Sequence, residues 1–187
     1  MIPFPNKKYQ IIYADPPWDY ADQCCQGTMA NYYKGMDLKD ICNLPVNNIA
    51  DKNCILFLWA TYPMLSEALE VIKAWDFKYK TIAFQWIKIN KKTGSYFYGL
   101  GRWTRGNTEP CLLATRGKIK RKSKSVFQII NSPITKHSEK PHIIREKIIE
   151  LVGDLPRIEL FARHKAKGWD SWGNEELQEA YIQDKII

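Results

Sequence analysis

Residues 15–18 read Asp15-Pro16-Pro17-Trp18 and follow the apolar run Ile11-Ile12-Tyr13-Ala14, which sets a carboxylate, two pyrrolidine rings and an indole at the end of a candidate buried strand. That combination suits methyl transfer onto an amino nitrogen. The exocyclic amine of adenine delocalises its lone pair into the ring and is a poor nucleophile until acceptors take hydrogen bonds from its protons. Asp15 offers a carboxylate. The carbonyl of Pro16 offers a second acceptor, because the fixed φ of the prolines holds the turn open and neither proline has an N–H to compete. Trp18 offers a flat face on which an extruded base can stack, a contact worth ~1–3 kcal/mol and tolerant of base identity. Orientation, not covalent catalysis, is then the main lever for all four residues, Pro17 included. The plainer role for the same residues is a Pro-Pro turn that ends a strand, with Trp18 as a plug in the core.

The elements that must position this tetrapeptide read as an α/β sandwich around a mostly parallel sheet, because short apolar runs alternate with amphipathic stretches. Strands are expected at 10–14, 54–59 and 157–161, with 79–89 and 109–115 forming a longer antiparallel pair around a loop. A first helix is expected near 37–43. A second starts at Pro63, with Leu65, Leu69 and Ile72 on one face. A third runs from Pro141 to Val152, where Ile144, Ile148, Leu151 and Val152 recur at helical spacing and Gly153 supplies the stop. Asn174 is a candidate N-cap of a final helix carrying Leu177, Ala180 and Tyr181. Ligands in open α/β sheets bind beyond the carboxyl ends of the strands, so Asp15, Trp59-Ala60-Thr61 and Arg163-His164 are expected to face one crevice. No Gly-x-Gly-x-x-Gly follows a strand; Gly99 and Gly101 fall in a loop, which gives dinucleotide binding little support.

Composition bounds the partners. At 187 residues, 45% apolar and 13% aromatic, the chain is expected to form one globular domain. Its net charge of +8 is unevenly placed. Between Lys88 and Lys124 lie eleven basic residues and one acid, Glu109, with Tyr96, Phe97, Tyr98 and Trp103 interleaved. Such a segment is the footprint of a nucleic-acid-binding face, with Arg116 and Lys118 opening its densest run; a solvated lysine-rich loop is the alternative for residues 116–124. Cys24, Cys25, Cys42, Cys54 and Cys111 show no metal-type spacing, and His137, His142 and His164 do not cluster with them, so no metal site is expected. An odd cysteine count without a signal peptide predicts reduced thiols and a cytoplasmic location, with Cys54 and Cys111 in the core. The longest apolar stretch, Cys54 to Ala60, is too short to span a bilayer, and no membrane partner is expected.

Six ordered blocks carry a resemblance. They are Asp15-Pro16-Pro17-Trp18, Leu56-Phe57-Leu58-Trp59-Ala60-Thr61, Gly106-Asn107-Thr108-Glu109-Pro110-Cys111-Leu112-Leu113, Ser138-Glu139-Lys140-Pro141, Glu159-Leu160-Phe161-Ala162-Arg163 and Gly168-Trp169-Asp170-Ser171-Trp172-Gly173-Asn174-Glu175. Through them the chain resembles, almost end to end, the adenine-amine methyltransferase family of the eukaryotic mRNA adenosine methyltransferase catalytic subunit, which has phage and bacterial members. The resemblance implies a Rossmann-like methyltransferase in circularly permuted order, with the catalytic strand first and part of the cofactor site last. It implies S-adenosylmethionine as methyl donor. Asp15 would meet both the target amine and the cofactor's amino group, Lys140 would lie near its methionine end, and Arg163, Asn174 and Glu175 would hold its ribose. Tyr33, Trp59, Arg102, Trp103, Arg105, Asn107 and Glu109 align with segments that shape the target-base pocket; Tyr33 and Trp59 could equally be core aromatics. The chain departs from larger members in having Lys165-Ala166 where they have His-Asn, and Glu175 where they have glutamine. DNA is the favoured nucleic acid, with RNA the alternative. No stretch reads as a separate target-recognition domain, so sequence selectivity is expected to be relaxed. A catalytically silent subunit that partners an active homologue is a further alternative, and a homodimer or a partner subunit is compatible with the chain.

Overall fold

The computed structural model describes residues 3–19, 35–99, 101, 103–135 and 139–173. In chain order the strands are β1 (Tyr9–Ala14), β2 (Ala50–Trp59), β3 (Lys78–Ile89), β4 (Thr108–Arg116), β5 (Ile129–Pro133), β6 (Arg157–Leu160) and β7 (Asp170–Trp172). The helices are α1 (Leu38–Cys42), α2 (Val46–Ile49), α3 (Leu65–Ala74) and α4 (Ile143–Val152).

The strands form one sheet in the order β5-β3-β4-β2-β1-β6-β7. Every pairing is parallel except the two made by β4, which runs against both β2 and β3. The expected antiparallel pair is therefore present as β3 and β4. The expected mostly parallel α/β sheet is thus present, with the strand that leads into Asp15 first in the chain. Both sheet faces are covered. Along β1, Ile12 and Ala14 join a core with α1 and α3, whereas Ile11 and Tyr13 point to the opposite face and pack with Ile144, Ile148 and Val152 of α4. A strand buried on both faces reads as a continuous apolar run, which is why β1 and the second half of β2 were visible in the sequence. Each fully buried Ile or Leu contributes ~1.5–3 kcal/mol relative to exposure, so these layers fix the sheet that holds the site.

One helix expectation needs correction. In α3 the buried face is Ala68, Val71 and Ile72, continued by Trp75, while Leu65 and Leu69 are exposed. Two apolar stripes overlap on this helix, and Trp75 decides between them by donating its indole N–H to the Ile41 carbonyl of α1 at 2.9 Å. At the end of α4 the expected stop holds: Gly153 adopts φ +96 and its N–H returns to the Ile149 carbonyl at 2.7 Å. The expected final helix after Asn174 lies outside the described residues.

Candidate active site

Asp15 follows the central strand β1, whose partners β2 and β6 run parallel to it with Ala14 opposite Leu58 and Leu160. The carboxylate therefore emerges at the carboxyl edge of the sheet, in its middle. The turn beyond it is tight. The Trp18 N–H donates to the Pro16 carbonyl at 2.9 Å, and the Met36 N–H donates to the Pro17 carbonyl at 2.8 Å. A carbonyl oxygen has two lone pairs, so Pro16 keeps one for a further donor. Trp18 itself is 5% exposed, and its indole N–H donates to the Trp59 carbonyl at 3.2 Å. The open stacking face expected of Trp18 is thus corrected to the plainer role. Its ring packs in the α1/α3 core, because satisfying the indole N–H on β2 turns the ring inward.

A line of alternating charges crosses the crevice. Lys140 Nζ lies 2.8 Å from Asp15 Oδ2 and 3.5 Å from Glu109 Oε2, and the far side of Glu109 is paired with Lys88. Four parts of the chain supply these groups: the residue after β1, the end of β3, the start of β4 and the segment before α4. The Lys140 ammonium also sits over the Trp59 ring, 5.6 Å from its centroid. Trp59 is fully buried and donates its indole N–H to the Tyr13 hydroxyl at 2.7 Å, so it is a wall behind Lys140 and a core aromatic.

Burial pushes the Asp15 carboxyl above its ordinary value, with the Lys140 ammonium and Arg163 opposing and Glu109 adding to the rise. For Glu109 burial also pushes upward, but Lys140 and Lys88 together hold it below the usual carboxylate range. Burial would depress Lys140, and the two carboxylates more than reverse that, so it remains an ammonium.

Beside Asp15 an open cleft is lined by Tyr13, Glu139, Lys140, Arg145, Glu159, Phe161, Arg163 and His164. Of the expected cofactor residues, Asp15, Lys140 and Arg163 come together here; Asn174 and Glu175 lie outside the described residues. Arg163 and His164 enter the cleft because the chain reverses at Phe161, which takes φ +60 immediately after β6. A left-handed conformation at a bulky residue costs of order 1 kcal/mol, and such strain concentrates at sites that use it. The ring of Phe161 is held edge-on against Trp172, centroids 5.6 Å apart.

The residues missed in the sequence are Tyr13, Glu139, Arg145 and Glu159 as cleft walls, and Lys88 as an internal ion-pair partner. Arg145 Nε and Nη2 grip the two oxygens of Glu159 at 2.6 and 2.7 Å, and its Nη1 lies 3.2 Å from His142 Nδ1. His142 Nε2 in turn lies 3.2 Å from Glu139 Oε1. Burial raises the Glu159 carboxyl despite that grip. A glutamate inside the apolar run Ile158-Glu159-Leu160 was the available signal, since a charge in a buried strand demands a partner.

The remaining expected contacts divide. Asn107 borders the crevice edge, where its carbonyl accepts from the Lys88 N–H at 2.8 Å. Trp103 and Arg105 lie in the loop between β3 and β4 and face solvent. Arg116 and Lys118 sit at the opposite end of the sheet. Arg116 pairs with Cys54 at the start of the buried part of β2, whereas Cys111 pairs with Trp59 at its crevice end. The Lys118 N–H is capped by Asn53 Oδ1 at 2.7 Å, and Arg116 Nε lies 3.5 Å from Asp76. Arg116 and Lys118, expected to open a nucleic-acid-binding run, therefore stand apart from Asp15, because an antiparallel β4 carries its end away from the crevice. Tyr33 and Arg102 lie outside the described residues.

The residues present fit the S-adenosylmethionine that the resemblance implies. Its methionine end carries a carboxylate and an ammonium, and the cleft places cations (Lys140, Arg163) among carboxylates (Asp15, Glu139, Glu159). Among the described residues no group of three or more His, Cys, Asp or Glu side chains could hold a metal ion, and no helix is long and apolar enough to cross a membrane. Cys54 and Cys111 are fully buried, as expected.

Comparison with known proteins identifies the family. The sequence profile of the family described as MT-A70 matches residues 9–175. A Type II methyltransferase, M.MunI of Mycoplasma sp, is 36% identical over 91% of this chain and 79% of its own length. The human N(6)-adenine-specific methyltransferase METTL4 is 26% identical over 95% of this chain and 39% of its own. The human N(6)-adenosine-methyltransferase catalytic subunit METTL3 is 27% identical over 90% of this chain but only 28% of its own.

Proposed function

The chain belongs to the MT-A70 family of adenine methyltransferases, and from that premise we propose that it transfers the methyl group of S-adenosylmethionine to the exocyclic amine of adenine in DNA, with relaxed sequence selectivity. The observation that carries the reading is Asp15, a carboxylate at the middle of the crevice edge, fixed by Lys140 and flanked by the Pro16 carbonyl. The bound cofactor supplies an electrophilic methyl on a sulfonium. Asp15 accepts one proton of the target amine and the Pro16 carbonyl accepts the other, which fixes the nitrogen and localises its lone pair for attack. The excess proton then leaves toward the carboxylate that already holds it. Lys140 keeps Asp15 aimed and ionised, and Lys140 with Arg163 suits the cofactor's carboxylate, as Glu139 and Glu159 suit its ammonium.

DNA is favoured because the long, 36% identical span is shared with a Type II methyltransferase, whereas the relative named for adenosine, a ribonucleoside, matches at 27% over a small part of its length. An intact Asp-Pro-Pro-Trp argues against a silent binding subunit, which has no need of paired acceptors. The test is incubation with labelled cofactor and matched single-stranded DNA, duplex DNA and RNA, followed by nucleoside analysis by mass spectrometry. N6-methyladenine in DNA supports the reading; label confined to RNA, or none in any arm, contradicts it.

A further inference from the structure

Scattered exposed apolar side chains are ordinary, but a contiguous group calls for a partner. The loop between β3 and β4 concentrates three exposed rings in a short stretch of sequence: Tyr96 is 72% exposed, Tyr98 68% and Trp103 99%. Basic residues are set among them. From residue 90 to 107 the sequence holds Lys91, Lys92, Arg102 and Arg105 and no acid. The Arg105 guanidinium already stacks over Tyr98, 4.2 Å from the ring centroid.

This loop is fastened to the crevice rather than trailing from it. Tyr96 bridges to Ile89, the Phe97 N–H donates to the Lys88 carbonyl at 2.9 Å, and the Lys88 N–H donates to the Asn107 carbonyl at 2.8 Å. Lys88 pairs with Glu109, which shares Lys140 with Asp15. The aromatic faces therefore stand on the same edge of the sheet as the candidate active carboxylate.

The chemistry selects the partner. Flat rings interleaved with cations suit bases and phosphates together, and stacking on successive bases is indifferent to their identity. A duplex hides its base faces inside the stack, so only unpaired nucleotides can use these rings. A protein interface of this size would instead deplete charge at its centre. We infer that Tyr96, Tyr98 and Trp103, with Arg105, form a stacking platform that grips unpaired nucleotides flanking the target adenine. The inference rests on the nucleic-acid reading above and adds the strand state of the substrate.

The test is fluorescence anisotropy on the full chain with labelled oligonucleotides that lack adenine: oligo-dT, oligo-U and a G·C duplex. Without adenine no methyl transfer accompanies binding, so a failure here is distinct from a failure of the methylation assay. The wild-type chain should bind oligo-dT or oligo-U more tightly than the duplex. Trp103→Ala and Tyr98→Ala should each weaken single-strand binding by about 5- to 150-fold, the loss expected for one stacked base, while Tyr98→Phe stays within about twofold of wild type. Melting temperatures should be unaltered, because both side chains face solvent. Unchanged single-strand affinity in both alanine variants overturns the platform, as does an equal loss on the duplex. Sedimentation showing a wild-type dimer that the alanine variants dissociate would also overturn it, making the patch an interface between copies of the chain.

Discussion

The Lys140 ammonium stands 2.8 Å from Asp15 Oδ2, joining the segment before α4 to the end of β1 across 125 residues of sequence. Glu109 holds the same ammonium from the other side at 3.5 Å. One cation thus serves two carboxylates with opposed tendencies, Asp15 raised chiefly by burial and Glu109 lowered by two lysines.

A pH dependence follows from that opposition. Asp15 accepts from the target amine only when ionised, and its raised value means the ionised form is lost as pH falls through a point above the ordinary carboxylate range, about 4. The acid limb of kcat/KM should therefore lie above that range. Lys140 opposes the rise, so Lys140→Met should move the limb to higher pH. A pH profile in which the variant limb stays put or moves lower would contradict the assignment.

Lys140 should also matter for the cofactor. Lys140→Ala is expected to weaken S-adenosylmethionine binding by about 10- to 150-fold, the range for losing a hydrogen bond to a charged group. Isothermal titration calorimetry with the cofactor alone reads this directly. An unchanged Kd would confine Lys140 to orienting Asp15.

Trp18 is a core side chain, and its truncation should read as lost stability. Trp18→Ala is expected to cost ~3–5 kcal/mol in urea unfolding, as large-to-small changes in a packed core do. Full stability with turnover alone impaired would restore the stacking role.

The fold was largely legible where strands are buried on both faces, and less so at the sheet margins. Near the start of β2, Asp51-Lys52-Asn53 is polar and lies in the register shift between the pairs Tyr9–Ala50 and Ile11–Ile55, so no apolar run marks it. Edge strand β5 ends Asn131-Ser132-Pro133, a turn-like sequence that an edge tolerates because one side of the backbone needs no partner. Strand β7 is three residues long. At the site, Asp15, Lys140 and Arg163 could be named from motif blocks, but distance along the chain hid which charges would meet. Lys88 looked like part of a nucleic-acid face and is instead spent on Glu109. The direction of β4 hid the separation of Arg116 from Asp15.

That separation gives the basic run its own test. Neutralising Arg116, Lys118, Lys120, Arg121 and Lys122 should weaken nucleic-acid binding across sequences, make the slope of log affinity against log salt shallower by ~0.9 per lost phosphate contact, and leave cofactor affinity unchanged. Arg116 is expected to contribute least, because Asp76 already lies 3.5 Å away. An unchanged salt slope would identify the run as a solvated face.

The central claim is that the Asp15 carboxylate activates the target amine, and single-turnover methyl transfer to adenine-containing DNA by Asp15→Asn tests it most directly. The amide keeps the shape and removes one acceptor, so with cofactor and DNA saturating the rate should fall by at least about 100-fold, comparable to deleting a preorganised polar contact to a reacting centre, while the melting transition remains cooperative. A variant that retained more than about a tenth of the wild-type rate would contradict the two-acceptor account.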